Sequence, residues 1–169
     1  MTTTVIVNKG TGAGGKNTNK HGLRFEKFTN LNTKQTLKYT KDNYECCKFK
    51  NSNKEFICVS GTKLFDYMKN KGEMSDIKPA KGCKRPDEAY IDSDKNIFII
   101  EKKYQQRPGS VEEKIQTGHF KQNHYNKLFP NYNVKYIYCL NNWFKHNFEA
   151  EMEYLEECGV KVFWGDNKY

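Results

Sequence analysis

The chain has 169 residues, a mass of 19.9 kDa, and 29 Lys+Arg against 20 Asp+Glu, for a formal net charge of +9. That length suits a single domain with a real core and no need of disulfide or metal staples. The longest aliphatic-aromatic run, Ile97-Phe98-Ile99-Ile100, is far short of the roughly 18 residues of a membrane span, and MTTTVIVNKG has no signal-peptide pattern, so a cytoplasmic protein is expected rather than a membrane, secreted or coiled-coil one.

Residues 1–20 open with Val5-Ile6-Val7 and continue as a Gly/Lys-rich arm or loop. Leu23, Phe25, Phe28 and Leu31 fit a short helix from about Leu23 to Leu31 that carries Glu26. Aromatic and β-branched residues predict strands over Thr36–Thr40, Tyr44–Phe49 and Glu55–Ser60. Leu64, Phe65 and Met68 form a helical stripe ending at Gly72. A hairpin follows, in which Ala89-Tyr90-Ile91 leads into the turn Asp92–Asn96 and Ile97–Tyr104 returns. Ser110-Val-Glu-Glu113 reads as a capping box opening a helix through about Leu128. Val134–Leu140 is a strand, Phe144, Phe148, Met152 and Leu155 mark an amphipathic helix stopped by Gly159, and Val160–Trp164 is a last strand. With no repeat and no linker, residues 1–169 are expected to form one α/β domain.

The charge is unevenly placed. Ahead of Pro86 the chain carries 18 Lys+Arg and 7 Asp+Glu, and from Pro86 onward 11 and 13. A basic half rich in Asn and aromatics suits a polyanion, because each phosphate contact releases counterions. The six cysteines include no CxxC pair, and no histidine sits beside them at zinc spacing, so reduced buried thiols are expected and any metal is held by oxygen. The acidic run Glu149–Glu157 reads as the solvated face of its helix, and His119 and His124 as surface or DNA-side residues.

The chemistry concentrates in the hairpin. Strand alternation puts Glu101 and Lys103 on one face and Lys102 on the other. Asp87 stands at the start of the partner strand, where pairing can bring its carboxylate beside Glu101. Two carboxylates meeting at one point call for a cation, and hard oxygens suit Mg²⁺. Such an ion polarises a phosphodiester and acidifies a bound water, while Lys103 orients that water and stabilises developing charge.

Pro86-Asp87 followed by Glu101-x-Lys103 after an apolar strand resembles the PD-(D/E)xK nuclease superfamily, whose typical members are type II restriction endonucleases. The resemblance covers roughly residues 20–140. It implies a restriction-endonuclease-like α/β core, a mixed sheet flanked by helices, cleaving duplex DNA site-specifically with Mg²⁺, for which Mn²⁺ can substitute. It assigns Asp87 and Glu101 to the metal with the Lys102 backbone carbonyl, and Lys103 to the attacking water. Glu26, with Glu45 and Glu55 as substitutes, and Gln116 on the following helix would complete the site. A homodimer and a cognate methyltransferase that protects host DNA are implied too, and a junction-resolving or repair nuclease would use the same residues.

Two readings of the N-terminus compete. Gly10-Thr-Gly-Ala-Gly-Gly-Lys16 nearly satisfies the phosphate-binding GxxxxGK[ST] pattern, which would make the chain a small nucleotide-binding phosphotransferase. Against it, Asn17 replaces the metal-binding hydroxyl, and Asn17–Gly22 is a poor helix start where a helix is required. In the nuclease reading, Lys16, Asn17, Asn19 and Lys20 contact DNA instead, together with Lys84 and Arg85 beside the site.

Overall fold

The structure is a computed structural model that describes residues 16–31, 35–109 and 111–165; the side chains of 16–19, 35 and 36 lie outside that description. Seven strands form one sheet in the order of the chain: β1 (Gln35–Lys41), β2 (Tyr44–Phe49), β3 (Glu55–Cys58), β4 (Glu88–Asp92), β5 (Asn96–Lys103), β6 (Asn133–Leu140) and β7 (Lys161–Trp164). Each neighbouring pair from β1 to β5 is antiparallel, whereas β5–β6 and β6–β7 are parallel. Parallel neighbours need a crossover, which helices supply. The connection from β5 to β6 holds α3 (Val111–Ile115) and α4 (Gly118–Leu128), and that from β6 to β7 holds α5 (Trp143–Asn147) and α6 (Glu149–Glu157). The chain is thus an α/β protein with a mixed sheet flanked by helices. The strands expected at 36–40, 44–49, 55–60, 97–104, 134–140 and 160–164 all form, with ends shifted by a few residues. Among the described residues no helix is long and apolar enough to cross a membrane.

Period-two alternation sorts the central strands into two faces. Ala89, Ile91, Ile97, Ile99, Val134, Tyr136, Tyr138 and Leu140 are buried on one face against α2 (Lys63–Asn70), α4 and α6, whose Leu64, Met68, Tyr125, Leu128 and Leu155 are almost fully enclosed. The other face carries Cys47, Cys58, Tyr90 and Ile100, with Phe49, Phe56, Phe98, Ile137 and Cys139 packed around them. Helix α1 (Lys16–Phe28) covers only one end of it and leaves an apolar hollow of about 330 Å³ reaching Phe163. Four of the six cysteines, Cys46, Cys47, Cys58 and Cys83, are buried.

Three helical expectations change. Helix α1 is already formed at Lys16, well ahead of Leu23, so the arm expected over residues 1–20 is helical over 16–20, and residues 1–15 lie outside the described chain. Of its apolar stripe only Phe25 is buried, while Leu23 and Phe28 are exposed. Gly165 makes room for Phe25: a Cβ there would lie 2.3 Å from its ring. The helix expected from Ser110 to Leu128 breaks at Gln116–Thr117, because Gly118 approaches β6 so closely that a Cβ would sit 2.7 Å from Tyr138. Its first turn is capped by Glu112 Oε1, which accepts from the Gly109 amide at 2.9 Å, whereas Glu113 is exposed. The amphipathic helix ahead of Gly159 likewise divides at Phe148 into α5 and α6.

Candidate active site

The hairpin register builds the site. Glu88 pairs with Ile100 in an antiparallel ladder, so one step further Asp87 stands opposite Glu101 with its side chain on the same face. Asp87 Oδ2 accepts a hydrogen bond of 2.7 Å from the Lys102 amide, which fixes the carboxylate against the end of β5. Lys103 Nζ lies 2.7 Å from Glu101 Oε1 and donates to the Lys102 carbonyl at 3.0 Å. One cation thus joins two of the three oxygen donors assigned to the metal.

Helix α1 brings Glu26 to the same place. Glu26, Asp87, Glu88 and Lys102 line an open polar hollow of about 340 Å³ together with Leu23, Lys27 and Asn30. Burial raises the Glu26 carboxyl above its ordinary pKa, and the Asp87 carboxylate adds to the rise. Asp87, open to solvent on one side, is raised by the desolvation of its carboxyl and then by Glu101, with the Lys102 amide and Lys103 pulling the other way. Burial is the larger cause in both, and like charges gathered at one point add to it. The alternatives to Glu26 are engaged elsewhere on the sheet: Glu45 pairs with Lys38 at 3.7 Å, and Glu55 with Lys48 at 3.6 Å and the Tyr39 hydroxyl at 2.8 Å.

Gln116 does not join them. Its amide nitrogen reaches Glu151 Oε1 at 3.3 Å on α6, at the exposed break between α3 and α4. The place that Gln116 was expected to fill is taken by Lys121 one turn further on, whose Nζ lies 3.5 Å from Glu101 Oε1 and 3.2 Å from the Tyr136 hydroxyl. Lys121 is 8% exposed. Gly118, Lys121, Tyr125 and Leu128 form the buried stripe of α4, so a lysine at a core position of an amphipathic helix was the available signal. Replacing Gln116 with Ala is expected to change any activity of the site by less than about twofold, the scatter of a surface substitution, as measured by initial rates.

Glu88 and the Lys102 side chain also escaped the sequence reading. Both point to the α1 side of the sheet, where they form an ion pair with each side chain 3% exposed. Lys84 and Arg85 are exposed just ahead of Asp87, as a DNA-contacting role requires, and Lys20 is exposed on α1. The side chains of Lys16, Asn17 and Asn19 are outside the described residues. His124 Nε2 accepts from the Ala80 amide at 2.9 Å and His119 meets Asn123 at 2.8 Å, so both are engaged away from the carboxylates.

Among the described residues no group of three or more His, Cys, Asp or Glu side chains is gathered tightly enough to hold a metal by side chains alone. A metal at this site would rest on Asp87, Glu101 and the Lys102 carbonyl, all hard oxygen donors. Compared with known proteins, the chain matches no family model, no curated protein and no solved structure.

Proposed function

We propose that the chain is a Mg²⁺-dependent endonuclease of the restriction-enzyme type, cleaving phosphodiester bonds of duplex DNA at the Asp87–Glu101–Lys103 cluster. The observation that carries this reading is the convergence of Asp87, Glu101, the Lys102 carbonyl and the Lys103 ammonium at the end of β5. The donor set fits a hard divalent ion, because the oxygens already meet a positive charge and the paired carboxylates have one raised pKa. When bound there, Mg²⁺ would polarise the phosphodiester and lower the pKa of a water. Glu101 would hold the ion from β5 and Asp87 from β4, the Lys102 amide keeping Asp87 aimed. Lys103 would place its ammonium where negative charge develops on the attacked phosphate. The order of α1, the meander to β5, the crossover helix and parallel β6 supports a restriction-endonuclease-like core, and a duplex cut in both strands would call for two copies of the chain.

The surroundings of the cluster suit DNA. Lys20, Arg24 and Lys27 are exposed on α1 at spacings of four and three residues, which places them along one side of the helix. Lys27 lines the hollow that holds Asp87. The row spans about 10 Å of helix, a length over which one DNA strand carries about three phosphates. Replacing the three with Ala is expected to weaken duplex binding and to lower the slope of log affinity against log salt by about 2.7, or 0.9 per lost phosphate contact. Lys50 and Lys127, at the opposite end of the sheet, should leave the slope unchanged when replaced. Titrations by fluorescence anisotropy between 50 and 200 mM salt, about the range in which such contacts are resolved, check both.

The test of the whole reading is incubation of the purified chain with unmethylated phage-length duplex DNA in Mg²⁺ and in EDTA. Discrete bands that need Mg²⁺ are the expected result, and a smear would move the chain to a non-specific or repair nuclease. A branched substrate cut in preference to linear duplex would make it a junction resolvase. One observation favours a second class: Lys16 lies on helix α1, as the lysine of a phosphate-binding loop over Gly10–Lys16 would, although Asn17 still stands where such loops carry Ser or Thr. No cutting, with ATP raising the melting temperature, would overturn the nuclease in its favour.

A further inference from the structure

The buried ion pair on the α1 side of the sheet links strand, helix and site through one residue. Lys102 Nζ contacts Glu88 Oε1 and donates to the backbone carbonyl of Glu26 at 3.0 Å. The Glu88 carboxylate also accepts from the Leu31 amide at 3.2 and 3.3 Å and from the Tyr90 hydroxyl. The end of α1 and the residues after it are thereby tied to β4 and β5 by polar bonds. The backbone of the same Lys102 faces the reacting end: its amide holds Asp87 Oδ2 at 2.7 Å, and its carbonyl meets Lys103 Nζ at 3.0 Å.

A buried charge pair is a poor source of stability, since desolvation offsets the attraction and an uncharged pair of similar volume is often as stable or more so. The surrounding face is apolar, with Tyr90, Ile100 and Phe98 on the neighbouring positions, and would accept such a pair. An apolar pair would not supply a donor that reaches the Glu26 carbonyl and so sets where α1 sits over β5. Glu26 is the acidic residue of α1 that lines the hollow beside Asp87.

We propose that Lys102 is a positioning residue that, through the Glu26 carbonyl, holds the Glu26 carboxylate beside Asp87 and Glu101. The proposal rests on the nuclease reading above. Its consequence is that the charge pair serves the reaction rather than the fold.

The experiment combines Lys102→Met with Glu88→Gln, which removes both charges but leaves Gln an acceptor for the Leu31 amide and Tyr90 hydroxyl. The expected result is a melting temperature within about 4 °C of the parent, with DNA cleavage reduced about 10- to 100-fold at limiting Mg²⁺, the usual effect of losing an outer-sphere orienting group. Adding Glu26→Gln to this variant should then cost less than about twofold, whereas Glu26→Gln alone costs most of the same loss, since both act through one carboxylate. Full additivity of the two changes, or an unaltered rate and Mg²⁺ dependence in the Lys102→Met/Glu88→Gln protein, would overturn the proposal. If that protein does not fold, Lys102→Leu with Glu88→Gln, which likewise carries no donor at position 102, takes the same cycle, with additivity again the overturning result. Asp87→Ala in parallel separates the two levels: cutting that survives it removes the nuclease reading itself, while cutting lost with Asp87→Ala but unaffected at Lys102 sinks only the positioning role.

Discussion

Lys103→Met is expected to lower the single-turnover rate of duplex cleavage at saturating Mg²⁺ by about 10³-fold, the middle of the range for a proton-transfer or charge-stabilising group. The same substitution should leave duplex affinity and the half-saturating Mg²⁺ concentration within about threefold, as expected when an interaction made only in the transition state is removed. The geometry is the reason for this split. Lys103 Nζ lies against Glu101 Oε1 and the Lys102 carbonyl, the oxygens that would hold the ion, so deleting the ammonium removes a competing positive charge from the donors rather than a donor. Methionine keeps most of the stem, which is largely enclosed, with the side chain 20% exposed. A rate unchanged by the substitution would remove Lys103 from the reaction. A collapse of DNA affinity with an unaltered rate at saturation would make it a phosphate contact instead.

The parts of the site legible in the sequence are those carried by short-range geometry. Asp87, Glu101 and Lys103 belong to one hairpin, whose turn residues and alternation fix the register, and the register alone places Asp87 opposite Glu101. The turn chemistry is the expected one: Asp92 Oδ1 accepts from the Asp94 and Asn96 amides at 2.9 Å each, and Lys95 takes a positive φ of 60°. Periodicity does not single out Glu26 as a site residue; the resemblance does. The resemblance alone points to Gln116, on a helix expected to run unbroken from Ser110. The break ahead of Gly118 turns Gln116 toward α6 and presents Lys121 to Glu101, and it depends on the contact of Gly118 with Tyr138 on β6, far along the chain. The Lys102–Glu88 pair was hidden for a similar reason. A lysine at the charged end of a strand reads as solvent-facing until α1 is known to cover it.

The hollow and the end of β5 beside it, then, are a place where the fold concentrates negative charge and partly offsets it with Lys102, Lys103 and Lys121. Its cost is to be read from stability in the absence of metal, because gathered carboxylates disfavour the compact state until a cation joins them. The fold accordingly gives Asp87 and Glu26 raised pKa values.

Asp87→Asn is expected to lower cleavage by about two to three orders of magnitude, as for loss of one fixed charge-stabilising group, and to raise the melting temperature in EDTA at pH 7. The sign follows from linkage. Asp87 has a folded-state pKa above its unfolded value, so folding takes up protons between the two. The native state therefore has its full stability below the unfolded value and loses some as pH rises through the folded one. Asparagine keeps an oxygen for the Lys102 amide, which Asp87 Oδ2 now meets at 2.7 Å, and cannot ionise. The variant should accordingly melt a few degrees above the parent at pH 7, with the gap closing as pH falls toward about 4, where the ordinary Asp titrates. Part of the parent's slope should persist in the variant, because Glu26 is raised as well and acts with the same sign. Mg²⁺ should reverse the order by stabilising the parent through binding, while the variant, short of one ligand, gains little. Calorimetric melts of both proteins at pH 4 and pH 7, with EDTA or Mg²⁺, decide the matter. A variant that melts below the parent at pH 7 in EDTA would mean that Asp87 is held as a stabilising anion, and the cluster would lose its standing as a metal site.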